Sequence, residues 1–198
     1  MTDQIDPWDE YADGWDEDLV ARAYAAAAFD SLTATLRRFE RNLDGMNVCD
    51  FGCGTGLLTE HLAHVVGRVD AVDTSPAMLA RLSTKADTHG WAHVLLSPRL
   101  PSTRGEHDLV VCSSVLGFVD DYTATTERLV QLLGSGGVFV QWDWELDPQA
   151  DEPHGLGRSA IHSALDAAGL ADVHVDTAFE VVFDDIVMRP LIGVGRRP

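Results

Sequence analysis

The chain has 198 residues, of which 45% are hydrophobic, so a single domain with a substantial buried core is expected. Its formal net charge of −18 disfavours nucleic acid and anionic lipid as partners, because such a surface repels phosphate groups. No apolar run is long enough to cross a bilayer, and the acidic N-terminus lacks the order of a signal peptide, so a cytoplasmic location is expected.

The first eighteen residues carry eight acidic side chains and no basic ones. That composition is typical of a mobile acidic tail, but Trp8, Tyr11 and Trp15 stand among the acids. Aromatic side chains favour a segment that folds over something apolar, so residues 1–18 are a candidate lid. A helix rich in Ala and Leu is predicted next, over residues 19–42, with three arginines in its last turns, where cations suit a helix C-terminus.

From residue 47 onward, strands alternate with helices, which predicts a parallel sheet with helices on both faces. The last two β segments differ, because their short connection near Asp184 and Asp185 predicts an antiparallel ribbon at one edge of the sheet. No repeat or linker marks a second domain, so one domain over residues 1–198 is predicted. The predicted strands are 47–51, 68–73, 92–96, 107–113, 138–143, 173–183 and 187–194. The later helices are predicted at 56–66, 75–87, 122–133 and 156–168, with a turn at 134–137. Ser75 is the expected N-cap of the second of these helices, and Pro76 takes its first helical position.

The sharpest local feature is the sequence VCDFGCGTG over residues 48–56, which follows a strand and opens a helix. Its glycines permit a tight turn and a close approach to a ligand, and the helix N-terminus offers unpaired N–H groups. Asp73 ends the next predicted strand, where a carboxylate can accept both hydroxyls of a ribose. The alternative for Asp73 is a helix cap.

Two details distinguish this loop from a dinucleotide-binding loop. Its spacing is G-x-G-x-G rather than G-x-G-x-x-G. Asp50 also stands two residues before the first glycine, where a carboxylate would repel a pyrophosphate but suits a ligand with an amino group and a sulfonium charge. The alternative for Asp50 is a strand-end carboxylate satisfied by local N–H groups.

Four stretches together resemble the class I S-adenosylmethionine-dependent methyltransferases. Residues 50–56 (DFGCGTG) are similar to the family's first motif and residues 72–79 (VDTSPAML) to its second. Residues 107–116 and 132–138 are similar to its fourth strand and to its turn into the fifth, and Tyr11-Ala12 with Trp15-Asp16 to the opening of many small-molecule members. The resemblance implies a Rossmann-like, mostly parallel sheet of seven strands that ends in an antiparallel pair. It also implies that S-adenosylmethionine lies across the carboxyl ends of the first strands and that its methyl group moves to a small molecule.

The resemblance assigns cofactor contacts residue by residue. The glycine-rich loop would pack on the methionine and ribose portions, Tyr11 and Trp15 would close over the carboxylate or sulfonium, and Thr74 and Met78 would border the adenine. The full predicted set is Tyr11, Trp15, Asp50, Gly52, Cys53, Gly54, Thr55, Gly56, Asp73, Thr74, Met78, Ser97, Cys112 and Ser113, the last two beside the methionine.

The chain departs from the family pattern at two positions. Members often carry an acid after the third strand that binds the adenine amino group, but residues 95–101 contain none, so Ser97 or a backbone group must replace it or the contact is absent. Many members also have paired histidines after the fourth strand, where this chain has Gly117 and Phe118, so no histidine role is carried over.

A metal role for the cysteines is not expected. The chain has three, an odd number without the spacing of a disulfide framework. Cys49 and Cys53 have no nearby histidine or second cysteine pair to complete a zinc site, so reduced, buried thiols are predicted.

Displacement at a sulfonium needs no covalent nucleophile, and alignment at close range supplies much of the rate. A hydroxyl or amine acceptor would be helped by a general base, for which Asp143, Glu145 and His154 are weak candidates. Trp142 and Trp144 alternate with these acids along a strand, so one set could line the acceptor pocket; alternatively, one tryptophan lies in the core and the acids face solvent. No basic residue stands within 113–118 or 141–145, which predicts a small neutral or amine-bearing acceptor with some apolar surface.

Three other functions stay open at this point. A nicotinamide-dependent oxidoreductase is disfavoured by the loop spacing and by Asp50. A non-catalytic member that keeps the cofactor fold is favoured by the missing acid after the third strand and by Gly117-Phe118. A nucleic-acid methyltransferase is disfavoured by the net charge.

Overall fold

The computed structural model describes residues 6–149, 155–184 and 186–198. Two short 3-10 helices, Asp9–Tyr11 and Trp15–Glu17, precede the first long helix, and a third covers Leu116–Phe118. The α-helices are α1 (Leu19–Arg38), α2 (Leu57–Ala63), α3 (Pro76–His89), α4 (Tyr122–Val130) and α5 (Arg158–Ala167). The strands are β1 (Asn47–Phe51), β2 (Arg68–Val72), β3 (Val94–Ser97), β4 (His107–Ser113), β5 (Leu133–Asp143), β6 (Ala171–Thr177), β7 (Val181–Phe183), β8 (Ile186–Met188) and β9 (Leu191–Arg196).

Seven of these strands form one sheet in the order β3-β2-β1-β4-β5-β9-β6. Neighbours from β3 to β5 are parallel, whereas β9 is antiparallel to both β5 and β6. This arrangement confirms the predicted mostly parallel, seven-stranded sheet with an antiparallel C-terminal pair. The strand order reverses between β1 and β4, and open α/β sheets bind ligands at the carboxyl ends of the strands beside such a point.

Each of the two predicted C-terminal β segments, 173–183 and 187–194, is divided into two strands. The short connection at Asp184 joins β7 to β8, which form a separate two-stranded sheet. The edge pair of the main sheet is instead β6 with β9, and β9 lies inside, between β5 and β6. Burial explains the order, because Leu191–Gly195 is buried at every position, as in an interior strand, whereas β6 is half exposed.

Two apolar cores cover the two faces of the sheet. The first lies under α1, α2 and α3 and includes Leu32, Leu62 and Leu82. The second lies under α4 and α5 and includes Leu129 and Leu165. Side chains of each strand alternate between the cores, so the position of a residue along its strand decides which face its side chain occupies. None of the helices in the described ranges combines the length and the apolar character needed to cross a bilayer.

The bounds of β1 and β4 match the sequence prediction, and so does the start of α3. Ser75 caps this helix by accepting a hydrogen bond from the Met78 N–H at 3.1 Å, with Pro76 at the first helical position. The turn predicted at residues 134–137 is instead part of β5, which starts at Leu133 and accommodates its glycines through a register shift against β4.

The first helix ends four residues before its predicted end. Glu40 adopts a left-handed backbone with φ 55°, which stops the helix after Arg38. Arg41 then leaves the helix axis and donates to the Gly136 carbonyl at 2.5 Å and to Asp108 at 3.2 Å. Its charge therefore ties the chain to the sheet instead of stabilising the helix terminus.

Candidate functional site

The glycine-rich loop between β1 and α2 is shaped by contacts with β2 and β4. The N–H groups of Gly52 and Cys53 donate to the Val72 carbonyl at 2.7 and 3.0 Å. Gly52 has φ 71°, and a Cβ there would lie 2.4 Å from the Val115 side chain, so only glycine fits. Gly54 has φ 56°, but a Cβ there would meet no atom within 4 Å. The loop therefore packs tightly at its first glycine and faces open space at its second.

Asp50 at the carboxyl end of β1 is a buried acid with one unused oxygen. Its side chain is 1% exposed, and its Oδ2 accepts a hydrogen bond from Thr59 on α2 at 2.6 Å. Its Oδ1 is buried and has no hydrogen-bond partner in the described part of the chain. Burial raises the pKa of Asp50 to about 7, although the bond from Thr59 lowers it. The expected alternative, a carboxylate satisfied by local N–H groups, does not describe this geometry.

Asp73 joins the glycine-rich loop to the start of α3. Its Oδ2 accepts from the Gly54 N–H at 2.8 Å, and its Oδ1 accepts from the Ser75 N–H at 2.9 Å. Burial raises the pKa of Asp73, while these N–H groups oppose the rise. An ionised carboxylate has about four acceptor sites, so each oxygen keeps room for one more donor. The local bonds of the alternative interpretation are thus present without using up the carboxylate.

The N-terminal segment lies across this loop and is attached by its aspartates. Asp6 accepts from the Thr74 hydroxyl at 2.8 Å. Asp9 accepts from the Ser75 hydroxyl at 2.5 Å and from the Ala77 N–H at 3.2 Å. These bonds hold the segment against the residues that follow β2.

The second half of the segment is attached in the same way. Asp16 accepts from the Thr55 hydroxyl at 2.7 Å and from the Lys85 ammonium at 2.8 Å, and Asp13 pairs with Arg81. We call Asp6, Asp9, Asp13 and Asp16 the aspartate latch.

The aromatic residues of the segment pack on one another and on the loop after β4. Trp8 lies 5.2 Å from Phe118 and 5.7 Å from Tyr11, and Tyr11 lies 6.5 Å from Trp15, all measured between ring centroids. Tyr11 is 54% exposed. The aromatic side chains therefore contact the loop after β4, whereas the hydrogen bond to the glycine-rich loop is made by an acid, Asp16.

The predicted adenine-side residues occupy the ends of β2 and β3. Thr74 is exposed and bonded to the latch, while Met78 is buried on α3. Ser97 ends β3, and its hydroxyl donates to the Arg99 carbonyl at 2.7 Å and accepts from the Arg99 N–H at 3.1 Å. The hydroxyl of Ser97 is therefore engaged in its own turn.

The predicted methionine-side residues lie at the end of β4, on opposite faces. Cys112 is fully buried in the second core, and burial raises the pKa of its thiol. Ser113 points, by strand alternation, to the same face as Asp50 and is partly exposed. All three cysteines, including Cys49 and Cys53, are buried free thiols, as predicted.

Asp143, the first candidate base, lies behind the β4 loop. It is 1% exposed on the second-core face, where its Oδ1 accepts from the Gly117 N–H at 3.0 Å and its Oδ2 from the Gln141 amide at 3.1 Å. Tyr122 donates to the other end of Gln141 at 2.8 Å. Burial raises the pKa of Asp143 to about 7. The expectation that the acids of this strand end face solvent is wrong for Asp143, because hydrogen bonds satisfy both of its oxygens inside the protein.

Glu145, the second candidate base, is a surface residue paired with a cation. Arg158 donates to both of its oxygens at 2.8 and 3.0 Å, and this bond lowers the pKa of Glu145. The prediction that no basic group lies in this region is therefore wrong, because Arg158 of α5 binds Glu145. His154, the third candidate, lies outside the described residues.

The two tryptophans at the end of β5 pack on the first core. Trp142 is fully buried, and its indole N–H donates to the Ser31 hydroxyl at 3.3 Å. Trp144 is partly buried, 5.5 Å from the ring of Tyr24. Tyr24 was not identified from the sequence; its hydroxyl lies 2.8 Å from that of Ser114 at the end of β4.

A family model described as a methyltransferase domain matches residues 21–175. The chain belongs to the class I S-adenosylmethionine-dependent methyltransferases. The ubiquinone biosynthesis O-methyltransferase of Psychrobacter cryohalolentis is 32% identical to it over 132 residues, which are 64% of this chain and 49% of that protein. The chloroplastic magnesium protoporphyrin IX methyltransferase of Arabidopsis thaliana is 42% identical over 85 residues, 39% of this chain and 26% of that protein. This chain therefore spans half or less of the length of these curated relatives.

A solved structure supports the same fold. Magnesium protoporphyrin IX methyltransferase from Synechocystis PCC 6803 with bound S-adenosylhomocysteine superposes on this chain with a TM-score of 0.70. The two are 20% identical, over 91% of this chain and 88% of that one. At this identity the likeness establishes the architecture alone.

The described residues fit the cofactor of this family. S-adenosylmethionine carries an amino group, a sulfonium charge and ribose hydroxyls. Asp50 offers a buried carboxylate oxygen without a partner, Gly54 borders open space, and Asp73 keeps acceptor capacity on both oxygens. These features lie together at the carboxyl ends of β1 and β2.

Proposed function

We propose that this chain transfers the methyl group of S-adenosylmethionine to a small-molecule acceptor. The observation that carries the proposal is Asp50, a buried carboxylate with an unpaired oxygen beneath a glycine loop that faces open space. A buried acid is costly unless its oxygens find donors, and the amino group of the cofactor is a donor of the right charge. Two relatives are named for ubiquinone biosynthesis and for magnesium protoporphyrin IX, which supports a small-molecule acceptor.

The residues of the site hold and orient the cofactor in this proposal. Asp50 binds the amino group, the loop from Gly52 to Gly56 packs on the methionine and ribose portions, and Asp73 binds the ribose hydroxyls. When bound, S-adenosylmethionine supplies a methyl group on a positively charged sulfur that leaves as a neutral thioether. The protein therefore contributes alignment rather than a covalent nucleophile.

The candidate bases that the structure describes are engaged elsewhere. Both oxygens of Asp143 accept hydrogen bonds behind the β4 loop, and Glu145 is held by Arg158. We infer that neither acts as a general base in the ground state of the enzyme. This arrangement favours an acceptor that gives up its proton readily.

The acceptor class follows from the wall beside the loop after β4. Trp144 and Phe179 are partly exposed there, and their rings pack on the buried Tyr24 ring at centroid distances of 5.5 and 5.2 Å. Because the carboxylates are engaged, this wall attracts apolar surface more than charge. We propose a small neutral acceptor with a planar, apolar part; an amine-bearing one has less support than the sequence indicated.

We further propose that residues 6–18 form a lid over the cofactor. The aspartate latch bonds directly to Thr55 and Thr74, which are predicted cofactor contacts, and to Ser75 beside them. Closure of such a segment excludes water from the reacting groups.

A ligand-dependent stability measurement tests the proposal. S-adenosylhomocysteine should raise the melting temperature of the protein, because a ligand that binds only the folded state stabilises it. NAD at the same concentration should leave the melting temperature unchanged. A shift with NAD alone would favour an oxidoreductase and overturn the assignment.

A non-catalytic, cofactor-binding role is the second candidate, favoured by the engaged carboxylates and by the turn that occupies Ser97. Release of S-adenosylhomocysteine with a panel of phenols, amines, carboxylic acids and phosphorylated metabolites separates the two roles. Turnover of the phenols supports catalysis, whereas tight cofactor binding without turnover of any class supports the second role.

A further inference from the structure

The hydroxyl groups of Tyr24 and Ser114 meet where four segments converge. Tyr24 on α1 is 8% exposed, and its oxygen lies 2.8 Å from the Ser114 oxygen. Trp144 after β5 and Phe179 after β6 pack on its ring at 5.5 and 5.2 Å. The direction of this hydroxyl is therefore fixed by packing from separate parts of the chain.

Ser114 is held in an unusual backbone conformation. Its φ of 54° lies in the left-handed region, which a non-glycine residue seldom adopts. Its N–H donates to the Trp142 carbonyl at 2.7 Å, which fixes the turn at the carboxyl end of β4. Strained residues of this kind concentrate at functional sites. Ser114 is also partly exposed, so its hydroxyl is not sealed in the core.

This turn adjoins the glycine-rich loop. Val115, the next residue, occupies the space that a side chain at Gly52 would need. Ser114 thus stands between the loop that faces the proposed cofactor and the aromatic wall that faces the proposed acceptor. Burial raises the pKa of Tyr24 far above its usual value, so its hydroxyl stays protonated and orients its neighbour without exchanging a proton.

We propose that the Ser114 hydroxyl borders the transferring methyl group and that Tyr24 is a positioning residue that holds this hydroxyl in place. The inference rests on the proposed function. A hydroxyl oxygen attracts the polarised hydrogens of a methyl group on a sulfonium, through weak C–H···O contacts that a thioether without that methyl cannot make. The pair should therefore distinguish S-adenosylmethionine from S-adenosylhomocysteine.

Isothermal titration calorimetry with both ligands tests the proposal without knowledge of the acceptor. Tyr24→Phe and Ser114→Ala should weaken binding of S-adenosylmethionine about three- to tenfold relative to S-adenosylhomocysteine, the scale of one weak polar contact. Tyr122→Phe is the matched control, because it also removes a hydrogen-bonded tyrosine hydroxyl, that of a partly buried residue bonded to Gln141 at 2.8 Å on the other face of the sheet. It should leave the ratio of the two affinities unchanged.

The possible outcomes separate the two proposals. Wild-type protein that binds neither ligand would overturn the proposed function. Wild-type binding of both ligands, with an unchanged affinity ratio in the folded variants, would overturn the role of the pair alone. If Tyr24→Phe does not fold, Ser114→Ala decides the result, because that side chain is smaller and partly exposed.

Discussion

The carboxyl ends of the strands form one edge of the sheet, and its two halves differ in how their buried acids are hydrogen-bonded. In the β1–β2 half, Asp50 is 1% exposed, and one of its oxygens has no partner among residues 6–149, 155–184 and 186–198. In the β4–β5 half, Asp143 is equally buried, but the Gly117 N–H and the Gln141 amide satisfy both of its oxygens. Burial raises the pKa of each acid to about 7. The perturbed pKa therefore does not separate a binding residue from a structural one; the unfilled hydrogen-bond capacity does.

The largest expected effect tests whether the open space belongs to a ligand. Gly54→Val should weaken binding of S-adenosylhomocysteine roughly 100-fold or more, about 2.7 kcal/mol, because a branched side chain would fill the space beside the loop. Gly90→Val is the matched control: Gly90 also has a positive φ, 68°, and also faces open space, but at the end of α3. Both variants carry similar backbone strain, so the difference between their affinities, measured by calorimetry, reports the contact of the side chain introduced at position 54 with the ligand. Equal affinities of the two folded variants would contradict the loop assignment.

The next effect compares the two acids directly. Asp50→Asn should weaken binding of S-adenosylmethionine by about 1.5–3 kcal/mol, the range for a hydrogen bond to a charged group. Asp143→Asn should leave the affinity within about twofold, because the oxygens of Asp143 bond to Gly117 and Gln141 and not to the ligand. Calorimetry at pH 8, with thermal melting of both variants, provides the measurement. A larger loss in Asp143→Asn would move the amino-group site to the other half of the edge.

The pH dependence of binding has a definite sign. A bound ammonium group stabilises the charged form of Asp50 and lowers its pKa, so binding below pH 7 releases a proton. The affinity should therefore rise as the pH rises through about 7, by at most about tenfold per pH unit, and then level off. Asp143→Asn should keep this rise, whereas Asp50→Asn should abolish it. A rise that persists in Asp50→Asn would assign the titration to another group.

Stability in the absence of ligand should show the opposite trend for the same groups. A carboxyl group whose pKa is raised in the folded state contributes stability that is fully present below its unfolded pKa, about 3.9, and is lost as the pH rises through about 7. Both buried acids therefore favour unfolding as they ionise, and a cationic ligand relieves this cost only at Asp50.

The parts of the site that could be predicted from the sequence are those whose residues lie close together along the chain. The β1 loop was predicted because its glycines, Asp50 and Asp73 stand at informative spacings in a short stretch of chain. The fate of Asp143 was not, because its partners Gly117 and Gln141 become evident only once β4 and β5 are paired. Glu145 likewise meets Arg158 only through the packing of α5. Ser114 and Tyr24 carry no signal of their own, since 90 residues separate them.

The N-terminal segment falls between these cases. Its aromatic residues predicted a fold-over segment, yet the bonds to the loop come from acids whose partners are 39 to 69 residues away. The spacing of the four latch aspartates does not reveal the side they share, because Gly14 with φ 89° separates the two short 3-10 helices of the segment. The composition also obscures the role of these aspartates, because eight acids among the first eighteen residues are typical of a solvated tail.

The smallest expected effect concerns the proposed lid, residues 6–18, whose aspartates bond to the β1–β2 half of the edge. Lys85 is the only lysine of the chain, and its ammonium group lies 2.8 Å from Asp16 and 3.7 Å from Glu60. Partly buried pairs of this kind contribute at most about 1 kcal/mol, so Lys85→Gln should weaken S-adenosylhomocysteine binding only two- to fivefold.

In the wild-type protein, the ligand should slow both acylation of Lys85 by an amine-reactive reagent and amide hydrogen exchange in residues 6–18. Residues 158–167, in the other half, serve as the internal control and should exchange at the same rate with and without ligand. Slowing that is equal in both halves would indicate general stabilisation, and an unchanged rate in residues 6–18 would show that the segment packs on the loop without responding to the ligand.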